Sequence, residues 1–276
     1  MISKMGPIGV FDSGYGGLTI LEQFRQELPE YDYLYLGDNA RAPYGNRSFE
    51  LVYQFTRQAV KYLFDQGCPL VILACNTASA KALRTIQQVD FPSLDSTKRV
   101  LGILRPTVEM VGPLSKTKHV GLVATPGTIQ SESYPIEVHK FYPEITLTGE
   151  ACPMWVPLVE NGEYTSLGAE FFVKQHIERL FEKDPLIDTL ILGCTHYPLL
   201  KPIIEKFVPK GVQIVSQGKY VTKSLIDYLQ RHPEMDSRCS KGGGCEFLTT
   251  ESVSKFEESA SVFTKYPIKA HPINLG

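Results

Sequence analysis

Seven short apolar runs, each closed by a turn signal, constrain the fold of this chain more than any other feature. They are PIGVFD (7–12), YDYLYLGD (31–38), LVILAC (70–75), RVLGIL (99–104), HVGLVAT (119–125), TLILGC (189–194) and VQIVS (212–216). Short, continuous and rich in Val, Ile and Leu, they read as strands buried on both faces of a parallel sheet. Longer segments with helical spacing separate them. Residues 48–67 place Leu51, Phe55, Ala59, Tyr62 and Leu63 along one face and stop at Gly67, and residues 166–184 carry a similar stripe of Phe171, Ile177, Leu180 and Phe181. Strand alternating with helix predicts an α/β architecture.

The chain also echoes itself. IGVFDSGYGG (8–17) resembles VGLVATPGTI (120–129), and in each half a strand ending in cysteine follows. The offsets, Ile8 to Val120 and Cys75 to Cys194, are 112 and 119 residues. Near-equal spacing of this length predicts two pseudo-symmetric α/β domains with mainly parallel sheets, rather than a short-period solenoid. The expected first domain is residues 1–98 with 213–276, and the second is 99–212. Motifs at the carboxyl ends of the strands would then meet in a cleft between the domains, where open α/β sheets bind ligands.

Composition excludes several classes of function. The hydrophobic and charged fractions, 43% and 21%, are those of an ordinary globular protein. A net charge of -2 gives no basic footprint for nucleic acid. The opening MISKMGPIGVFDSG has no apolar signal segment, and no run approaches the roughly 18 to 20 apolar residues of a membrane span, so a cytoplasmic protein is expected. In that compartment the six cysteines are expected as thiols. Cys239 and Cys245, in RCSKGGGCEF, are spaced more widely than usual zinc ligands and lack two further partners, so a Gly-rich surface turn is the expected reading.

Two runs end on a cysteine followed at once by small polar residues, Cys75-Asn76-Thr77 and Cys194-Thr195-His196. One such cysteine reads as a small buried hydrophobe; two at matching places read as a pair with a task. Where a strand gives way to a helix N-terminus, backbone N–H groups favour an anion, either a bound carboxylate or the thiolate itself. A thiol of pKa about 8.5 is only slightly ionised near neutrality, so it needs a helper. His196 and Asp12 are the candidates.

The turn FDSGYGG lacks the full GxGxxG and the P-loop lysine, which argues against a nucleotide site. Gly14, Gly16 and Gly17 are expected to admit a small ligand to the backbone, beside the carboxylate of Asp12 and the hydroxyl of Ser13. Ser13 reads equally as a helix cap. In GDNARAPYGNRS (37–48), Tyr44 and Gly45 offer a hydroxyl and a backbone N–H, or form a plain surface turn. Glu160 in VPLVENGE, and Thr125 and Thr128 in ATPGT, carry the same double reading.

The set FDSGYGG, DNARAPYG, LACNTASA, VPLVE and GCTHYP, in this order and spacing, resembles the bacterial glutamate racemases of the cofactor-independent aspartate/glutamate racemase family. The resemblance covers nearly the whole chain, and ACNTAS with GCTHYP is its most specific part. It implies interconversion of L- and D-glutamate, supplying D-glutamate for peptidoglycan, with no cofactor and no metal. It implies Cys75 and Cys194 as acid/base thiols on opposite faces of the substrate α-carbon, assisted by Asp12 and His196 respectively, with Glu160 as a further acidic group. Ser13, Tyr44, Gly45, Asn76, Thr77, Thr128 and Thr195, with Asp12 and His196, match positions that hold the substrate. A homodimer is expected, without nucleic-acid or membrane partners.

The chain departs from the pattern in VSQGKYVTKSLIDYL (215–229) and in RCSKGGGCEF, where the expected consequences are for peripheral packing and not for the thiol motifs. Alternatives are an aspartate racemase using the same thiols, a two-lobed amino-acid-binding protein, and a cysteine hydrolase. The binding protein leaves both thiols idle, and the hydrolase needs only one nucleophile.

Overall fold

A computed structural model describes residues 5–90 and 97–276, so the first four residues of the N-terminal stretch lie outside the described residues. Six strands form one sheet: β1 (Ile8–Asp12), β2 (Tyr33–Gly37), β3 (Leu70–Leu73), β4 (Arg99–Gly102), β9 (Cys245–Thr249) and β10 (Ala270–Pro272). Four form a second: β5 (His119–Ala124), β6 (Thr146–Ala151), β7 (Thr189–Gly193) and β8 (Gln213–Val215). Every strand pairing is parallel. Within the sheets the orders β2-β1-β3-β4 and β6-β5-β7-β8 are the same, which is the pseudo-symmetry expected from the internal echo.

All seven apolar runs are strands, and double burial explains the composition of the inner ones, whereas the edge strands β4 and β8 are partly exposed. Every residue of β1, β2, β3 and β7 is buried. Ile8, Val10, Tyr33, Tyr35, Leu70 and Ile72 join the core on one face, while Phe11, Leu34, Leu36, Val71 and Leu73 join the core on the other. Each large side chain so buried contributes about 1.5–3 kcal/mol, and a polar residue at any of these places would forfeit that on one face or the other.

Two helices form where expected, but with their buried faces rotated. Ser48 caps the helix Phe49–Asp65 by accepting from the Leu51 amide at 3.3 Å, and Gly67 beyond its end has φ +92°. Its inward stripe is Val52, Thr56, Ala59 and Leu63, whereas Leu51 is exposed. The helix Leu167–Lys183 turns Ala169, Val173, Ile177 and Leu180 inward and leaves Phe171 60% exposed. In both, the ladder of i, i+4 neighbours facing the sheet decides burial, and Leu51 and Phe171 stand off its flank.

Strand membership shifts the expected domain limits. β4 pairs with β3 and β8 with β7, so limits at 98 and 212 each cut one strand from its sheet. The helix Leu104–Leu114 carries the chain from the first sheet to the second, and Gly218–Arg231 carries it back. Among the described residues, three strands lie outside the seven apolar runs. β6, TLTGEA, is mostly half-buried and has no Val/Ile run; β9 and β10 extend the first sheet beyond the repeated four. RCSKGGGCEF is a turn only at its centre, where the Gly242 and Gly244 amides donate to Asp32 Oδ1 at 3.1 and 2.8 Å. Cys239 is buried and Cys245 opens β9 against Tyr33, which corrects the reading of both as surface residues. No described helix is long and apolar enough to cross a membrane.

Candidate active site

Cys75 lies just beyond β3 and Cys194 just beyond β7, strands that occupy equivalent places next to the switch point of each sheet. Both are buried, and both line one cavity together with Ser13, Tyr44, Gly45, Asn76, Thr77, Glu160, Thr195 and His196. Of the residues expected at the site, Asp12 and Thr128 do not line it and are buried behind it. Thr125, Pro43, Asn46, Pro126, Pro153, Val156 and Pro157 complete the wall. Apart from Thr125, these carry no chemistry that would single them out in a sequence.

Cys75 caps the short helix Asn76–Lys81: the Ala78 amide donates to its Sγ at 3.4 Å, and the Ser13 hydroxyl stands 3.3 Å away. Burial pushes its thiol up to about 12, and the charge of Asp12 adds to that, against the hydrogen bonds from Ser13 and Ala78. Asp12 ends β1. Its Oδ2 accepts from the Gly14 amide at 3.0 Å, while Oδ1 is buried with no hydrogen-bond partner among the described residues. Burial also raises the Asp12 carboxyl, although His196 and the Gly14 amide pull it down.

On the Cys194 side, His196 Nδ1 stands 3.8 Å from the cysteine Sγ and Nε2 stands 3.0 Å from Glu160 Oε1. Burial disfavours a charged ring, but hydrogen bonds to Cys194 and Glu160 outweigh it and raise His196 to about 10. The glycine-rich turn lies against these groups, with Ser13 from the same turn in the cavity wall. A Cβ added to Gly16 would stand 2.5 Å from His196 Nδ1.

The threonines form a bridge between the domains. Thr77 and Thr125 hydroxyls are 3.0 Å apart, Thr125 and Thr128 3.1 Å. Gly45 packs on Thr125, where a Cβ would meet the threonine Cβ at 2.9 Å. Tyr44 contributes its ring to the wall, because its hydroxyl donates to the Asp38 carboxylate. Asn76 is held by a buried network: its Nδ2 donates to Gln217 Oε1 at 2.6 Å, and its Oδ1 accepts from Tyr134 at 2.8 Å and Gln217 Nε2 at 3.1 Å. Gln217 Nε2 also donates to Thr107 at 2.9 Å. The departure in VSQGKYVTKS therefore reaches the residue beside Cys75, contrary to expectation, through a contact no local pattern reveals.

Among the described residues, no group of three or more His, Cys, Asp or Glu side chains is placed to hold a metal ion. Residues 18–224 match the family model described as Asp/Glu/Hydantoin racemase. A glutamate racemase of Ruegeria sp. (strain TM1040) is 41% identical over 271 residues, which is 95% of this chain and 97% of that relative. A glutamate racemase isoform from Bacillus anthracis superposes with a TM-score of 0.89 at 35% identity, over 99% of this chain and 98% of that one. The glutamate racemase of Francisella tularensis subsp. tularensis SCHU S4, solved in complex with D-glutamate, superposes with a TM-score of 0.86 at 31% identity, over 100% and 99%. With the paired thiol strands and this likeness along its whole length, the chain belongs to the Asp/Glu/hydantoin racemase family, among the glutamate racemases.

Proposed function

We propose that the cleft interconverts L- and D-glutamate by proton transfer between two opposed thiols, Cys75 and Cys194, with no cofactor. One observation carries this reading: equivalent cysteines, after equivalent strands of two sheets, line a single cavity. A single base that returned its own proton would tend to restore the original configuration. Two groups on opposite faces of the α-carbon invert it, one as thiolate removing the proton and the other as thiol supplying one. The roles exchange for the opposite enantiomer.

The surroundings of each thiol fit such a division of labour. Asp12, its carboxyl raised by burial, can carry a proton behind Cys75, without itself facing the cavity. His196, paired with Glu160, sets a positive charge beside the Cys194 sulfur and can relay its proton. Ser13, Gly45, Asn76, Thr77 and Thr195 hold the substrate through hydroxyls, amides and backbone N–H groups, with Tyr44 as a wall and Thr128 supporting Thr125 from behind it. Burial of both sulfurs excludes water from the carbanion-like transition state, where fixed donors around the carboxylate are most effective. Each positioned acid or base supplies roughly 100- to 10,000-fold.

The relative bound to D-glutamate supports glutamate as the substrate. We further place the protein in the cytoplasm as a homodimer, supplying D-glutamate for peptidoglycan. Incubation with L-glutamate, and separately with L-aspartate, in deuterated water tests the assignment. Solvent deuterium in inverted glutamate, without added cofactor, is expected. Inversion of aspartate alone would move the assignment to the aspartate racemases, and exchange of neither would leave a binding protein or hydrolase.

A further inference from the structure

We propose that Phe263, from the segment after the helix Val253–Ala260, is a positioning residue that keeps the His196 ring aimed at Cys194; this rests on the reading of Cys194 as an acid/base thiol. The Phe263 ring packs edge-on to the imidazole, with centroids 5.3 Å apart and planes at 82°. It is 8% exposed and is itself backed by Tyr15, stacked at 6.1 Å and 15°. Tyr15 rests on the fully buried Phe256 at 5.6 Å, and Phe256 on Tyr35 at 6.4 Å. Tyr35 in turn donates to the Gly14 carbonyl at 2.9 Å, inside the glycine-rich turn. The carboxyl-terminal segment, the turn after β1 and His196 thus form one packed block.

The block matters because the polar contacts of His196 fix it incompletely. Its Nδ1 reaches Cys194 only at 3.8 Å, a long contact that a small ring rotation would break, while Nε2 is anchored on Glu160. The Gly16 backbone limits movement on one side. Phe263 supplies a second apolar limit, from a segment whose sequence carries no sign of the chemistry. Its direct contact with the site is through His196, while Cys75 is held by Ser13 and Ala78.

The test compares Phe263→Leu, which keeps an apolar side chain without the ring, with Phe263→Tyr, which keeps the ring. An aromatic pair of this kind corresponds to a roughly 3- to 10-fold fall in kcat for the leucine variant, with KM little changed and recovery in the tyrosine variant. With α-deuterated substrates, the isotope effect should rise for one enantiomer, the one Cys194 deprotonates, and not for the other. Wild-type kcat in Phe263→Leu, or an equal rise for both enantiomers, would overturn the proposal. If the leucine variant does not fold, Phe263→Met is read by the same criteria. Cys194→Ala is measured alongside: retained activity there refutes the reading of the site, whereas an inactive Cys194→Ala beside an unperturbed Phe263→Leu refutes only the positioning role.

Discussion

The backbone of Gly16, in the turn after β1, lies against the imidazole of His196, so a turn of the first domain seats a cavity-lining side chain of the second. Gly16→Ala would press a methyl group within 2.2 Å of the Thr195 hydroxyl and 2.5 Å of His196 Nδ1, forcing both side chains to move. Displacement of a reacting group by about 1 Å costs on the order of 100-fold, and a loss of that size in kcat is expected with the circular dichroism spectrum unchanged. Activity within a factor of about two of the parent would mean the ring has room to spare.

The charge on His196 makes a separate prediction with a definite sign. Its folded value, raised to about 10, lies above the roughly 6.5 of an exposed histidine. The stabilisation it brings is fully present below the unfolded value and is lost as pH rises through the folded one. Glu160→Gln removes the carboxylate on Nε2. Thermal unfolding should show the parent more stable than Glu160→Gln near neutrality, with the gap closing as pH rises through about 10. A gap independent of pH over that range would show that the pair is not charged.

Gln217 is expected to matter for both stability and turnover. Gln217→Leu strips partners from the buried Asn76, Thr107 and Tyr134, at a cost of about 1–3 kcal/mol. Denaturant unfolding measures that loss, and kcat should fall because Asn76 adjoins Cys75. Tyr134→Phe, which removes one hydroxyl from the same network, should give a smaller effect on both. Equal stability of Gln217→Leu and the parent would show that the network relaxes without loss.

The fold was legible where burial dictates composition. β1, β3, β5 and β7 are packed on both faces, so little but Val, Ile, Leu and small residues suits them, and the runs announce themselves. β6 escaped because its half-buried positions tolerate Thr and Glu, and β10 because a three-residue strand ending at Pro272 leaves no pattern. At the site, Cys75 and Cys194 could be found because strand ends repeat. Phe263, Gln217 and Tyr134 could not: each acts through a contact between distant parts of the chain, with a side chain that is ordinary in its local setting. Tyr44 shows the converse: its local sequence points to a ligand contact, and only the fold reveals that its hydroxyl donates to Asp38.

The central claim is that inversion needs both thiols. It is tested most directly by racemisation of glutamate with Cys75→Ala and Cys194→Ala, each shown to be folded and assayed from both enantiomers in deuterated water. Each variant is expected to lose racemisation by roughly 100-fold or more in both directions, because removing either group deprives one face of its proton carrier. Full activity in either folded variant would contradict the two-thiol account.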